Sequence, residues 1–161
     1  MIRSTVRTGL VGLVGLVAVA CSQPNVVNPA DAEQVRTIAN TVEQIRQAYT
    51  GKDTGVFQKL FMPLDRLRKM EADIRGDFAL YEQISLDITI DRVMVEGADV
   101  AVHFHWQGQW QAKSDEPPLR ERGHAIFRMV GYQTLTLSAV DGDVPFGMSA
   151  RRIQGERTRG R

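Results

Sequence analysis

Val35, Ile38, Val42, Ile45 and Tyr49 recur at alternating steps of three and four residues, with Arg36, Glu43 and Arg46 between them. That period is the apolar stripe of an amphipathic helix. Asn28 can cap it, Pro29 suits its first turn, Asp31 and Glu33 complement its positive end, and Gly51 stops it after about Thr50. A short second helix is predicted from near Asp53, carrying Val56, Phe57, Leu60 and Phe61. Pro63 breaks or bends it before a third helix from Leu64 to about Asp77, with Leu67 and Met70 inward.

From residue 84 the period becomes twofold. Ile84, Leu86, Ile88 and Ile90 alternate with Ser85, Asp87, Thr89 and Asp91, the pattern of a half-buried strand. Val93 and Val95 are out of phase by one residue, as a bulge at Asp91-Arg92 would make them, and Glu96-Gly97-Ala98-Asp99 is a turn. Strands follow over 100–111, 120–130 and 132–140, the last after a tight turn at Gly131. If Gln111 faces Arg120, then Trp106 faces Ala125, Phe104 faces Phe127 and Val102 faces Met129, all of them apolar pairs. The opposite face then collects His103, His105, Gln107, Arg122, His124 and Arg128. The expected fold class is α+β: three N-terminal helices packed on a curved four-stranded antiparallel sheet.

A chain of 161 residues with 43% hydrophobic content suits one domain with extensions. Its net charge of +1 conceals an uneven distribution, because two arginines lie before Cys21 and five after Ala150. Residues 22–150 hold 13 basic and 18 acidic groups, a net of −5, which argues against a nucleic-acid-binding body. The start is basic at Arg3 and Arg7, apolar from Gly9 to Ala20, and small-residued before Cys21. This is signal-peptide architecture, and the apolar run falls well short of the ~20 residues a membrane-spanning helix needs.

Ala18-Val19-Ala20-Cys21 resembles the lipobox of bacterial lipoproteins, which implies a leader over 1–20, lipidation of Cys21 and a tether over 21–29. Cys21 is the one cysteine of the chain, so no internal disulfide can use it. The alternative is an ordinary secretory leader whose cleavage exposes a free thiol. Ser22 in place of aspartate implies, by the same resemblance, the outer membrane facing the periplasm rather than the inner membrane. Residues 30–150 are the expected domain. The tail over 151–161 is expected to be irregular and basic, suited to anionic headgroups, an acidic protein surface or simple solubility.

Arg122-Gly123-His124-Ala125-Ile126-Phe127 and Leu137-Ser-Ala-Val-Asp-Gly-Asp-Val-Pro-Phe-Gly147 resemble the closing strands of the NTF2-like (SnoaL-like) superfamily. The resemblance covers about residues 30–150 and implies a cone with a pocket between helices and sheet. Some members are isomerases, dehydratases or cyclases, and others have no chemistry. Candidate pocket-lining residues are Tyr49, Phe104, Trp106, Trp110 and Phe127, with Trp110 partly exposed at the mouth and the Tyr49 hydroxyl at the rim. Enzymes of this kind need an acid or base inside the cone, and only Tyr49, Asp77 and Tyr81 offer one, so no catalytic residue is assigned. His103, His105 and His124 stand on the outer face beside Arg122 and Arg128, whose charge repels a cation, so no metal or other cofactor is expected. His103, His105, His124 and Arg128 are instead candidate interface residues for a homodimer or an envelope protein. The expected function is a membrane-anchored, non-catalytic binding or assembly module. A carrier of an apolar small molecule and an isomerase- or dehydratase-type enzyme are the alternatives.

Overall fold

The computed structural model describes residues 29–152, and side chains from residue 32. Helix α1 (Pro29–Thr50) buries Ile38, Val42, Ile45, Ala48 and Tyr49. The stripe is as expected except at its start: Val35 is 57% exposed, because α1 is covered only from Ile38 onward. A regular period shows which face is apolar, not how far along the helix something packs on it. Helix α2 (Thr54–Leu60) is capped by Asp53, whose side chain accepts from the Val56 N–H at 3.1 Å. Helix α3 (Asp65–Leu80) runs a turn beyond the expected end, and buries Leu67, Ile74 and Asp77.

Strands β1 (Gln83–Glu96), β2 (Asp99–Gln111), β3 (Leu119–Val130) and β4 (Thr136–Gly142) form one antiparallel sheet in the order β1-β2-β3-β4. The expected bulge is present, with the β1 register shifting between Ile90 and Arg92. Strand β4 begins at Thr136, later than expected, because the chain turns sharply at Gly131, whose φ of 134° leaves no room for a side chain against the Thr134 carbonyl. The free edge of β4 is covered by the α2–α3 connection: Phe61 bridges to Leu137, and the Met62 N–H donates to the Leu137 carbonyl at 2.9 Å. Uncovered strand edges invite pairing with other chains, and this contact blocks one.

The β2–β3 register differs from the expected one by two residues. Trp106 pairs with Gly123, Phe104 with Ala125, Val102 with Phe127 and Val100 with Met129. Gln111 leaves the β2–β3 ladder, and its side chain donates to the Ser114 and Glu116 carbonyls at 3.2 and 3.0 Å, closing the loop. An even slip leaves every side chain on its face, so the apolar and polar faces are those expected. Helices and inner sheet face enclose the core, where Phe104 and Phe127 meet at 4.3 Å between ring centroids and Phe127 stacks on Phe146 at 6.3 Å. After β4 the chain returns over α3, and residues 148–152 form a helical turn. Arg151 and Arg152, expected in the irregular tail, lie in this turn, while the remainder of the tail lies outside the described residues. So do the leader, Cys21, the tether and the Asn28 cap. No helix among the described residues is long and apolar enough to cross a membrane.

Candidate functional site

Three elements converge beneath the helices. The α1 stripe delivers Tyr49, the inner face of β2 delivers Trp110, and the inward side of α3 delivers Asp77. Tyr49 and Asp77 are fully buried and Trp110 is 1% exposed. The Trp110 Nε1–H donates to the Tyr49 hydroxyl at 2.8 Å, and that hydroxyl donates to Asp77 Oδ2 at 2.6 Å. Asp77 also accepts from two backbone amides of the returning chain, Gly147 at Oδ2 and Ser149 at Oδ1, each at 2.7 Å. A buried carboxylate is stable only when its oxygens are satisfied in this way.

The approach depends on two glycines. Gly147 has a φ of 76° and lies against Asp73, and a side chain at Gly108 would come within 2.3 Å of the Trp110 ring. The indole thus lies over bare β2 backbone, which explains its burial in place of the partial exposure expected at the mouth. The Tyr49 hydroxyl, expected at the rim, is instead the middle of the relay. Burial pushes the Tyr49 phenol well above the usual range, and the adjacent Asp77 charge adds to the rise. It therefore stays a donor at neutral pH. Of the remaining inward residues, Phe104 and Phe127 are packed core, and the Trp106 Nε1–H donates to the Asp143 carbonyl at 2.6 Å.

Chemically the arrangement is closed. Asp77 accepts from Tyr49 and Gly147 at Oδ2 and from Ser149 at Oδ1, so the carboxylate acts as a latch that holds the C-terminal turn to the helices. None of the four described clefts is lined by Tyr49, Asp77 or Phe127. The largest, about 770 Å³, opens between the β2–β3 loop, the end of α3 and the C-terminal turn. Trp110, Pro117, Leu119 and Met148 give it apolar walls, and Tyr81, Arg151 and Arg152 a polar end. Tyr81 is 2% exposed, and its hydroxyl is the one buried side-chain polar atom without a partner among the described residues. Burial raises the Tyr81 phenol, Asp77 raises it further, and Arg152 and Arg151 pull it back down.

The outer face gathers the other candidates. His105 pairs directly with His124 across the strands, their rings 6.0 Å apart, and its Nδ1 lies 2.7 Å from Asp91. His103 lies 3.4 Å from the Arg92 guanidinium, and Arg128 is ion-paired with Asp141. No group of three or more His, Cys, Asp or Glu side chains suited to a metal occurs among the described residues. Asp77 as a latch for the C-terminal turn was not anticipated, although one signal was available. Leu67, Met70, Ile74, Asp77 and Tyr81 follow helical steps of three and four, which puts an acid in an apolar stripe.

No family model and no curated protein matches the chain. Solved structures do. It is similar to the Kfla4162 protein of Kribbella flavida, with a TM-score of 0.61 and 14% identity over 74% of this chain and 98% of that one. An NTF2-like superfamily protein from Salmonella enterica serovar Typhimurium gives 0.59 and 11% over 71% and 92%. A candidate dehydratase of the NTF2-like family from Streptomyces avermitilis gives 0.61 and 12% over 69% and 96%. The chain therefore has the NTF2-like cone fold. At such identities the likeness is one of fold, which hosts both binding proteins and enzymes.

Proposed function

We propose that this chain is an envelope lipoprotein, anchored through Cys21 to the periplasmic side of the outer membrane, whose NTF2-like domain binds rather than catalyses. The observation that carries the binding half is the engagement of Asp77. The acid inside the cone is occupied by Tyr49, Gly147 and Ser149, so the helices, sheet and C-terminal turn use it to hold together. The anchoring half is supported by the basic start, the short apolar run and Ala18-Val19-Ala20-Cys21. The outer sheet face, with its histidines and the Arg128–Asp141 pair, is the surface offered to a second copy or an envelope protein.

Feeding an alkyne-bearing palmitate analogue to a diderm host expressing the full chain tests the anchor. Label in the outer-membrane fraction, lost in Cys21→Ser, is the expected result. An unlabelled, freely soluble product would overturn the lipoprotein reading.

A further inference from the structure

We infer that the cleft between the β2–β3 loop and the C-terminal turn binds a small apolar carboxylic acid, its body against Trp110 and Leu119 and its carboxylate at Tyr81 and Arg151. The inference rests on the domain being a binding module and names its ligand class. At about 770 Å³ the cleft is in the size range of small-molecule sites.

Trp110 presents carbon to this space, since its N–H is committed to Tyr49. Pro117 and Pro118 stiffen the neighbouring wall, so an apolar body meets a preformed surface. The polar end is more specific. A buried hydroxyl with no partner is destabilising until something accepts its proton, and Tyr81 lines this cleft. Asp77 is not that partner: its oxygens accept from Tyr49, Gly147 and Ser149, and the Tyr81 hydroxyl makes no bond to them.

The cations of the cleft come from the C-terminal turn. Arg151 and Arg152 both line the cleft and both act on the Tyr81 phenol. The Arg151 guanidinium is held in place by the Val144 and Phe146 carbonyls, which makes it a fixed cation. The lining acids, Glu116 and Glu121, come from the β2–β3 loop and β3, so bases and acids are contributed by different elements. A hydroxyl donor and a held guanidinium that line one cleft are groups a carboxylate can take together, and the hydrophobic walls select an acid with an apolar body.

The test is calorimetric titration of the full chain in neutral detergent, against a protein-free blank, with 3-phenylpropionate and octanoate and with the alcohols that replace their carboxylates. At least one acid should bind, and its alcohol about tenfold or more weakly. Tyr81→Phe should weaken the acid by a similar factor while leaving the melting temperature unchanged or higher, because it removes a hydroxyl that has no partner. Arg151→Gln should weaken it as well. Absence of binding by both acids, equal binding of acid and alcohol, or full affinity in Tyr81→Phe overturns the inference. A bound acid recovered unchanged supports it together with the non-catalytic reading. A bound acid recovered chemically altered keeps the ligand class and sinks the non-catalytic reading instead.

Discussion

The Tyr49 hydroxyl donates to the Asp77 carboxylate at 2.6 Å, joining the first helix to the third in the interior of the cone. Through Asp77 the same contact reaches the Gly147 and Ser149 amides, and through Tyr49 it reaches Trp110 on the sheet. Four separate parts of the chain are thus tied by one connected set of hydrogen bonds. Such networks are worth more intact than their separate bonds suggest, and each broken link leaves a buried group unsatisfied.

Asp77→Asn tests the latch most directly. An amide has one acceptor oxygen where the carboxylate has two, and its NH2 would face a backbone N–H or the Tyr49 hydroxyl. The expected cost is about 2–4 kcal/mol of unfolding free energy, measured by urea denaturation. Hydrogen exchange at Gly147 and Ser149 should accelerate more than exchange in β2. An unchanged midpoint would show that the Asp77 bonds contribute nothing net.

Tyr49→Phe should cost less, about 1–3 kcal/mol, since Asp77 keeps its two amide donors. Trp110→Phe should fall in a similar range, combining a lost bond with lost ring volume. Because the two residues share a bond, the double variant should cost less than the sum of the single ones, whereas strict additivity would mean that the 2.8 Å contact carries no coupling.

Alkaline pH should weaken the protein through Tyr49. Burial, with Asp77 beside it, raises the folded phenol well above its usual range. An unfolded tyrosine begins to lose its proton near pH ~10 while the folded one still holds it. The stability from this difference is complete below pH ~10 and is lost as pH rises towards the folded value. The raised phenol of Tyr81 acts with the same sign. Urea midpoints collected from pH 8 to 11 should be level and then fall, and the fall should be shallower in Tyr49→Phe. An equal fall in that variant would assign the alkaline loss to other groups.

Gly108→Ala should disturb the relay without touching a polar atom. The added methyl would come within 2.3 Å of a rigid indole, so the ring must move off the sheet and away from Tyr49. A loss of about 1–3 kcal/mol is expected from overpacking of this kind. Tryptophan fluorescence should shift to the red as Trp110 becomes hydrated, and an unshifted spectrum with full stability would show that the ring has another place to go.

The helix and strand order was legible because both periods are local. Val42, Ile45 and Tyr49 mark a helical face within two turns, and Ile84, Leu86, Ile88 and Ile90 mark a strand within seven residues. The two sheet faces were legible for the same reason, and survived an incorrect register because the slip was even. Residue spacing alone did not place the β2–β3 register itself: it depends on where the loop closes, and Gln111 closes it with its own side chain on the Ser114 and Glu116 carbonyls.

The sequence by itself determined which residues are apolar, at what period, and in what order helices and strands follow, since these depend on neighbours a few positions apart. Only the tertiary structure decided what Asp77, Tyr49 and Trp110 do. Asp77 and Tyr49 are 28 positions apart and Tyr49 and Trp110 are 61. The apolar stripe of α3 marks Asp77 as inward, but nothing local distinguishes a satisfied buried aspartate from an unsatisfied one. That difference arises when Gly147 and Ser149 are brought back over α3, because burial of a carboxylate is tolerable only where distant donors meet it.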